Sequence, residues 1–213
     1  MQNVSTLPLP RTKSSDIGLL KLLSHGLPLR GEVFWWKLRN LPNFMRGFWR
    51  IALARLLRLP HFSGHVSMVV IKATGEHVNY GLVSLRVLTD TGVGYIVDAF
   101  QNSVELENMK FHGYGTGTNA EAAADAALQT ELTTEYAVNS TRPTGSTTEG
   151  ASANIYRTVG TLSPDANVAI TEHGIFSAAS AGVLLDRSKF SVINLISGDS
   201  LQTTYDLTFT SGS

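Results

Sequence analysis

The runs VAITEHGIF at residues 168–176 and LQTTYDLTFT at residues 201–210 decide the fold class, because both are rich in β-branched and aromatic residues. Comparable runs cover residues 154–159 and 183–190, and Gly, Pro, Asn or Asp residues separate the runs. Short runs bounded by turn residues predict antiparallel strands with short connections. We therefore predict a mainly β fold, an antiparallel β-sandwich.

Upstream of these runs the pattern indicates a hairpin and one short internal helix. Apolar residues alternate over 66–70, Thr74 and Gly75 form a turn signal, and residues 78–88 are again β-rich. Apolar residues then recur at helical spacing over 93–100, and residues 109–114 indicate a further strand. The alanine-rich residues 120–128 are compatible with a helix on alanine propensity alone, and the Thr/Ser-rich residues 133–148 indicate an exposed loop or sheet edge.

Charge divides the chain at Pro60, although the formal net charge of the whole is zero. Up to Pro60 there are ten Lys or Arg residues and two acidic residues, a net charge of +8, so the remainder carries −8. All three tryptophans lie in the basic part. We interpret residues 1–60 as a basic, aromatic N-terminal arm that contacts an acidic partner, and residues 61–213 as the β-rich domain.

The arm itself has two predicted parts. Four prolines within residues 1–43 predict extended chain or short turns. Over residues 43–59 apolar residues recur every three or four positions with arginines between them, which predicts an amphipathic helix with Asn43 as its N-cap. The candidate partner-binding residues of the arm are Trp35, Trp36, Arg46, Phe48, Trp49, Arg50, Leu53, Arg55, Leu56 and Arg58.

Four surfaces could receive this helix. It could contact a neighbouring protein subunit or pack on its own β-domain, and we favour these two. It could also bind nucleic acid through its arginines or a lipid surface through its Trp and Leu side chains, and these two are not favoured. The sequence carries no evident secretory signal and no run of about 20 apolar residues, so we expect a soluble or surface-associated chain.

No motif predicts catalysis, a cofactor or a metal ion. Cysteine is absent, which excludes thiolate chemistry and Cys-ligated metals. The segment from Gly115 to Ala120 fits the G-x-G-x-x-A dinucleotide fingerprint, but no alternating helices and strands follow it, so we interpret it as a tight loop. His61 and His65 have helical metal-ligand spacing next to residues that disfavour a helix, and Glu172 and His173 would point to opposite faces of a strand.

The C-terminal two-thirds, roughly residues 64–213, resembles a family of tailed-phage virion structural proteins. The matching residues are the GYGTGT loop at 113–118, AL at 127–128 and TE at 130–131, ITEHGIF at 170–176, Gly182, LLDR at 184–187, Phe190, GDSL at 198–201 and YDLTF at 205–209. The resemblance carries no catalytic residues and does not extend to residues 1–60.

This resemblance implies a non-enzymatic structural component of a phage particle. The leading hypothesis is a capsid-associated decoration or cement protein that binds the major capsid protein or other virion proteins and forms a homo-oligomer. The alternative is a tail, neck or fibre component, and a further alternative is a membrane-docking protein that uses the basic helix. The expected location is the virion, assembled in the host cytoplasm.

Overall fold

The computed structural model describes residues 31–86, 88–136 and 140–212. The prediction of extended chain for residues 1–30 lies outside these residues. The helices are α1 (Gly31–Leu56) and α2 (Asp90–Phe100), with a 3₁₀ turn at Leu106–Asn108. The strands are β1 (His61–Ile71), β2 (His77–Arg86), β3 (Phe111–Gly115), β4 (Ser146–Glu149), β5 (Ile155–Leu162), β6 (Val168–Phe176), β7 (Leu184–Leu195) and β8 (Ser200–Thr210).

The strands form two antiparallel sheets, which confirms the predicted sandwich-like β fold. One sheet has the order β2-β1-β8-β5-β4 and the other has the order β3-β6-β7. The predicted hairpin is β1 with β2, and the short helix predicted over 93–100 is α2. β4 is the edge strand of the larger sheet, where the Thr/Ser-rich segment was expected to lie.

The inward-facing residues of both sheets make one main core. Every second residue of β1 is buried from Gly64 to Val70, as is every second residue of β8 from Leu201 to Leu207. These two neighbouring strands lie inside the larger sheet. Burying a large apolar side chain contributes roughly 1.5–3 kcal/mol. The largest fully buried side chains are Tyr114, Tyr205, Phe176, Phe190, Met68, Leu162, Ile170, Ile175, Leu184, Leu185, Ile193 and Leu195.

The predicted bounds of the amphipathic helix were wrong at both ends. The helix begins at Gly31 rather than Asn43 and ends at Leu56 rather than Leu59, and it continues through Pro42. Extended chain was therefore also the wrong prediction for residues 31–43. A proline inside a helix costs about 3 kcal/mol, and here packing offsets this cost, because Val33 and Trp36, which precede Pro42 in the helix, are buried on the β-domain. Pro42 itself is exposed.

The helix predicted over residues 120–128 was also wrong, since this segment consists of turns and irregular chain. Side chains bind the backbone amides at the start of this segment and just before it. Thr118 N and Asn119 N donate to Gln129 Oε1 at 2.7 and 2.8 Å, and Ala122 N donates to Asp125 Oδ2 at 2.8 Å. These local bonds compete with helix formation more strongly than alanine favours it.

Candidate partner-binding surface

One face of α1 is attached to the β-domain. Its buried residues are spaced every three or four positions and face β2 and β7; they are Val33, Trp36, Asn40, Asn43, Gly47 and Ile51. The approach is closest at Gly47, where an added Cβ would lie 1.6 Å from the carbonyl oxygen of Leu85. Only glycine allows the helix to lie this near the strand.

Two asparagines in the middle of this face fix the helix in one position. Asn40 Nδ2 donates to Val83 O at 2.7 Å in β2, and Asn40 Oδ1 accepts from Ser191 N at 2.8 Å in β7. Asn43 Nδ2 donates to Asn40 Oδ1 at 3.3 Å, and Arg86 donates to the carbonyl of Asn43 at 3.0 Å. Buried polar groups with satisfied partners favour one specific packing arrangement, so α1 is a positioned element of the domain.

Trp36 belongs to this inward face, although the sequence placed it among the candidate partner contacts. Its side chain is 5% exposed, its Nε1 donates to the carbonyls of Ser191 and Val192 at 3.0 and 2.9 Å, and its ring packs edge-on against Tyr80 at 4.9 Å. We infer that Trp36 contributes to the fold and is not available to a partner.

The opposite face of α1 is apolar and open to solvent. Trp49 is 65% exposed and Leu56 is 78% exposed. At 100° per residue the exposed apolar residues and Pro42 form one stripe along the helix. We define the α1 outer face as this stripe with its basic border: Trp35, Leu38, Trp49, Leu53 and Leu56 with Arg39, Arg46 and Arg50.

The basic border makes this face electropositive. α1 contains five Lys or Arg residues and one Glu, a net charge of +4. Arg46 and Arg50 are exposed, and neither forms an ion pair with another described residue. Contiguous apolar surface of this kind on a soluble domain commonly marks an interaction site. The arginines would favour an acidic partner.

The structure places most of the predicted site residues on or beside this face. Trp35, Trp49, Leu53 and Leu56 are exposed, as are Arg46, Arg50, Arg55 and Arg58, and Phe48 is half-buried. Sequence reasoning missed Phe34, Leu38 and Leu41 because it began the helix after Pro42. The three- and four-residue spacing from Trp35 to Leu38, Pro42 and Met45 was the signal that could have revealed Leu38.

The glycine-rich loop at Gly115 and Gly117 surrounds a carboxylate of the chain itself. Glu172 Oε1 accepts from Gly117 N at 3.0 Å and from Thr130 N at 2.8 Å, and Oε2 accepts from Gln129 N at 3.1 Å and from Arg187 Nε at 2.8 Å. An added Cβ at Gly117 would lie 2.4 Å from Oε1. Glycine is needed there so that the loop can close on Glu172, which fills the cradle that a phosphate would require.

Two buried histidines form a second internal cluster. His112 Nδ1 lies 3.1 Å from His173 Nε2, and His112 Nε2 lies 3.1 Å from Thr158 Oγ1. Burial lowers the pKa of His112 to about 3, and burial together with the neighbouring ring lowers the pKa of His173. Both rings are therefore neutral near pH 7, and their contacts are those of hydrogen-bonded core residues.

The histidine pair with helical metal-ligand spacing, His61 and His65, does not form a metal site. His61 and His65 lie on β1 rather than on a helix, and they bond to Leu59 O at 3.0 Å and Ser63 Oγ at 3.4 Å respectively. Across residues 31–86, 88–136 and 140–212, no group of three or more His, Asp or Glu side chains is arranged to hold a metal ion.

No protein-family model, curated protein or solved structure matches the chain. Among the described residues, neither helix has the length and apolar content needed to cross a membrane.

Proposed function

We propose that this chain is a non-enzymatic structural subunit of a tailed-phage particle that attaches to a neighbouring subunit through the α1 outer face. The observation that carries the proposal is the exposed stripe of Trp35, Trp49 and Leu56 on a helix held by buried asparagines. A preorganised apolar face binds at low entropic cost. The resemblance over residues 64–213 supports the virion assignment.

Within the particle, the favoured position is the capsid surface, as a decoration or cement protein on the major capsid protein. A tail, neck or fibre position is the alternative. Locating the density in a particle reconstruction distinguishes the two: decoration proteins follow capsid lattice points, whereas tail components follow the tail axis.

The test of attachment uses a double substitution, Trp49→Glu with Leu53→Glu. Both residues are exposed, so the variant should fold while its outer face becomes acidic and less apolar. We expect gradient-purified wild-type particles to contain the chain at fixed stoichiometry, and variant particles to contain about tenfold less or lower, because interface anchors typically contribute 2 kcal/mol or more. Quantitative mass spectrometry of the particles is the measurement.

The matched control is Thr161→Glu, which places a carboxylate at an exposed position on β5. It should be incorporated like the wild type. Absence of the wild-type chain from particles would refute the virion proposal, and wild-type incorporation of the double variant would refute attachment through α1. Deleting residues 1–60 is a poorer test because the deletion removes the buried residues Val33, Trp36 and Ile51.

A second candidate function is docking on an anionic lipid surface, and the pairing of exposed Trp and Leu residues with arginines on α1 favours it. Flotation of the wild type with vesicles of phosphatidylcholine, with or without phosphatidylglycerol, tests it. Binding to the anionic vesicles that is lost in Trp49→Glu would support this function, and equal flotation of both proteins would contradict it.

A further inference from the structure

A second exposed apolar surface lies on α2 and the 3₁₀ turn that follows it. α2 buries Gly92, Tyr95 and Ile96 and leaves its other face open, where Phe100 is 85% exposed. We define the α2 outer surface as this face and the adjoining turn: Val93, Val97, Phe100 and Leu106 with Asp90, Asp98, Glu105 and Glu107.

This surface is acidic, whereas the α1 outer face is basic. Residues 90–108 contain four acidic residues and no Lys, Arg or His, a net charge of −4, against +4 for α1. All four carboxylates are exposed. The two surfaces thus combine apolar side chains with charges of opposite sign, the arrangement expected of two sides of one interface.

The α2 outer surface is rigidly held before any partner arrives. Thr89 caps α2 by accepting from Gly92 N at 3.0 Å, and its hydroxyl donates to Leu184 O at 2.7 Å in β7. Tyr95 donates from its hydroxyl to Glu105 O at 2.9 Å, which ties the chain leading into the 3₁₀ turn to the helix. Neither surface therefore has to be ordered on binding.

Within one chain the two surfaces do not cover each other, because both are exposed in the same structure. Pairing of two α1 outer faces would bring the three border arginines of one copy against those of the other, and pairing of two α2 outer surfaces would bring −4 against −4. Only contact between an α1 face and an α2 surface of different copies neutralises both charges while burying both apolar stripes.

We infer that the neighbouring subunit bound by the α1 outer face is a second copy of this chain, which presents its α2 outer surface. This inference rests on the proposed function only in assigning the chain to an assembly of subunits. Because two different surfaces meet, the contact is head-to-tail, and repeated contacts close into a ring or continue as an open array.

The test is a charge swap with two variants. The first carries Arg46→Glu and Arg50→Glu on α1, and the second carries Asp98→Lys and Glu107→Lys on α2. We expect the wild type to self-associate with rising concentration in sedimentation velocity, and each variant alone to associate about tenfold more weakly or less, because like charges then face each other.

Mixing the two variants is the decisive measurement. The substituted carboxylates on α1 of the first variant then face the substituted ammonium groups on α2 of the second, and the unchanged surfaces also pair, so the mixture should recover assembly. A variant with all four substitutions should assemble alone. Asp165→Lys with Glu149→Lys, two exposed positions elsewhere, is the control that should leave assembly unchanged.

The outcomes separate this inference from the proposed function. A monomeric wild type, or a mixture that stays dissociated, overturns the head-to-tail contact even if the chain is found in particles. Assembly retained by the second variant alone also overturns it, because α2 would then not take part. Recovery in the mixture upholds the contact, and absence of the chain from particles would then refute the virion assignment alone.

Discussion

At the scale of single residues, the buried ion pair of Glu172 and Arg187 is what holds the long loop between β3 and β4 against the smaller sheet. Glu172 is fully buried and accepts three backbone N–H groups of the loop in addition to Arg187. Removing one partner of such a pair leaves the other charge uncompensated in the interior. The attachment of the loop to β6 therefore depends on the carboxylate of Glu172.

We predict that Glu172→Gln lowers the free energy of unfolding by about 3 kcal/mol, since the amide keeps the shape but loses the charge that binds three backbone N–H groups and Arg187, which then keeps only Asp125 as an ionic partner. Urea unfolding followed by circular dichroism is the measurement. The exposed Glu149→Gln change should stay within about 0.5 kcal/mol of the wild type. Equal losses for the two variants would contradict the assigned role of Glu172.

A second residue-scale feature is the buried Asp186. Burial raises its pKa from 3.8 to about 7, an effect that the nearby Arg86 reduces. Tyr205 and Ser188 donate long hydrogen bonds to it, at 3.4 and 3.3 Å. Because the folded pKa lies above the unfolded pKa, the folded state binds the extra proton between these values, and stability falls as the pH rises through that window.

We predict that Asp186→Asn, which imitates the protonated carboxyl, matches the wild type near pH 4 and exceeds it in stability at pH 8 by a few kcal/mol. The measurement is the difference between the two proteins in unfolding free energy at each pH. The difference is needed because the lowered pKa values of His112 and His173 act oppositely, with stability lost as the pH falls below 6.5. A difference independent of pH would rule out titration of Asp186.

At the scale of elements, strands were predictable from sequence and the course of α1 was not. The bounds predicted for β6 agree with the structure, because alternation and turn residues are local signals. Pro42 is also a local signal, but here tertiary contacts override it: Trp36 and Asn40 bind strands about 40 to 155 residues away along the chain. No pattern in the sequence records those partners.

The candidate site was predictable to a similar extent. The Trp, Leu and Arg residues after Pro42 were found by their spacing, because helical periodicity places them together on one side of the helix. Trp36 was misplaced because its burial depends on β7. The segment at Gly115 and Gly117 was correctly interpreted as a tight glycine-rich loop. That it encloses the carboxylate of Glu172 could not be inferred, because Glu172 is distant from the loop in sequence.

We predict that Pro42→Ala raises the free energy of unfolding by about 1–3 kcal/mol, since Ala restores a backbone N–H inside α1 at an exposed position. Thermal unfolding measures the change. Pro60→Ala, which lies outside the helix, is the control and should have a smaller effect. A loss of stability in Pro42→Ala would mean that the ring makes a contact that the structure does not show.

At the scale of the whole molecule, α1 contributes to the same core as the strands although the charge boundary falls after it. Val33 and Trp36 join the main hydrophobic cluster together with residues of both sheets. The change in charge at Pro60 therefore does not mark a boundary in packing, because the core includes residues on both sides of Pro60. The net charge of α1 comes mainly from exposed side chains, whereas its contribution to stability comes from buried ones.

We predict that a chain consisting of residues 61–213 melts at least about 5 °C lower than the full chain, because it exposes the surfaces of β2 and β7 that α1 covers. Its binding of a hydrophobic dye should rise correspondingly. The full chain carrying Trp49→Glu and Leu53→Glu serves as the control and should melt near the wild-type temperature. A truncated chain as stable as the full chain would make α1 a separate appendage.

The position of β8 also determines when the protein can fold. β8 lies between β1 and β5, and its pairing of Thr210 with His61 joins nearly opposite ends of the described chain. Contacts this distant in sequence form slowly. During synthesis β1 and β5 remain without their shared neighbour until residue 210 has emerged from the ribosome. The larger sheet can therefore form completely only after its other four strands have been synthesised.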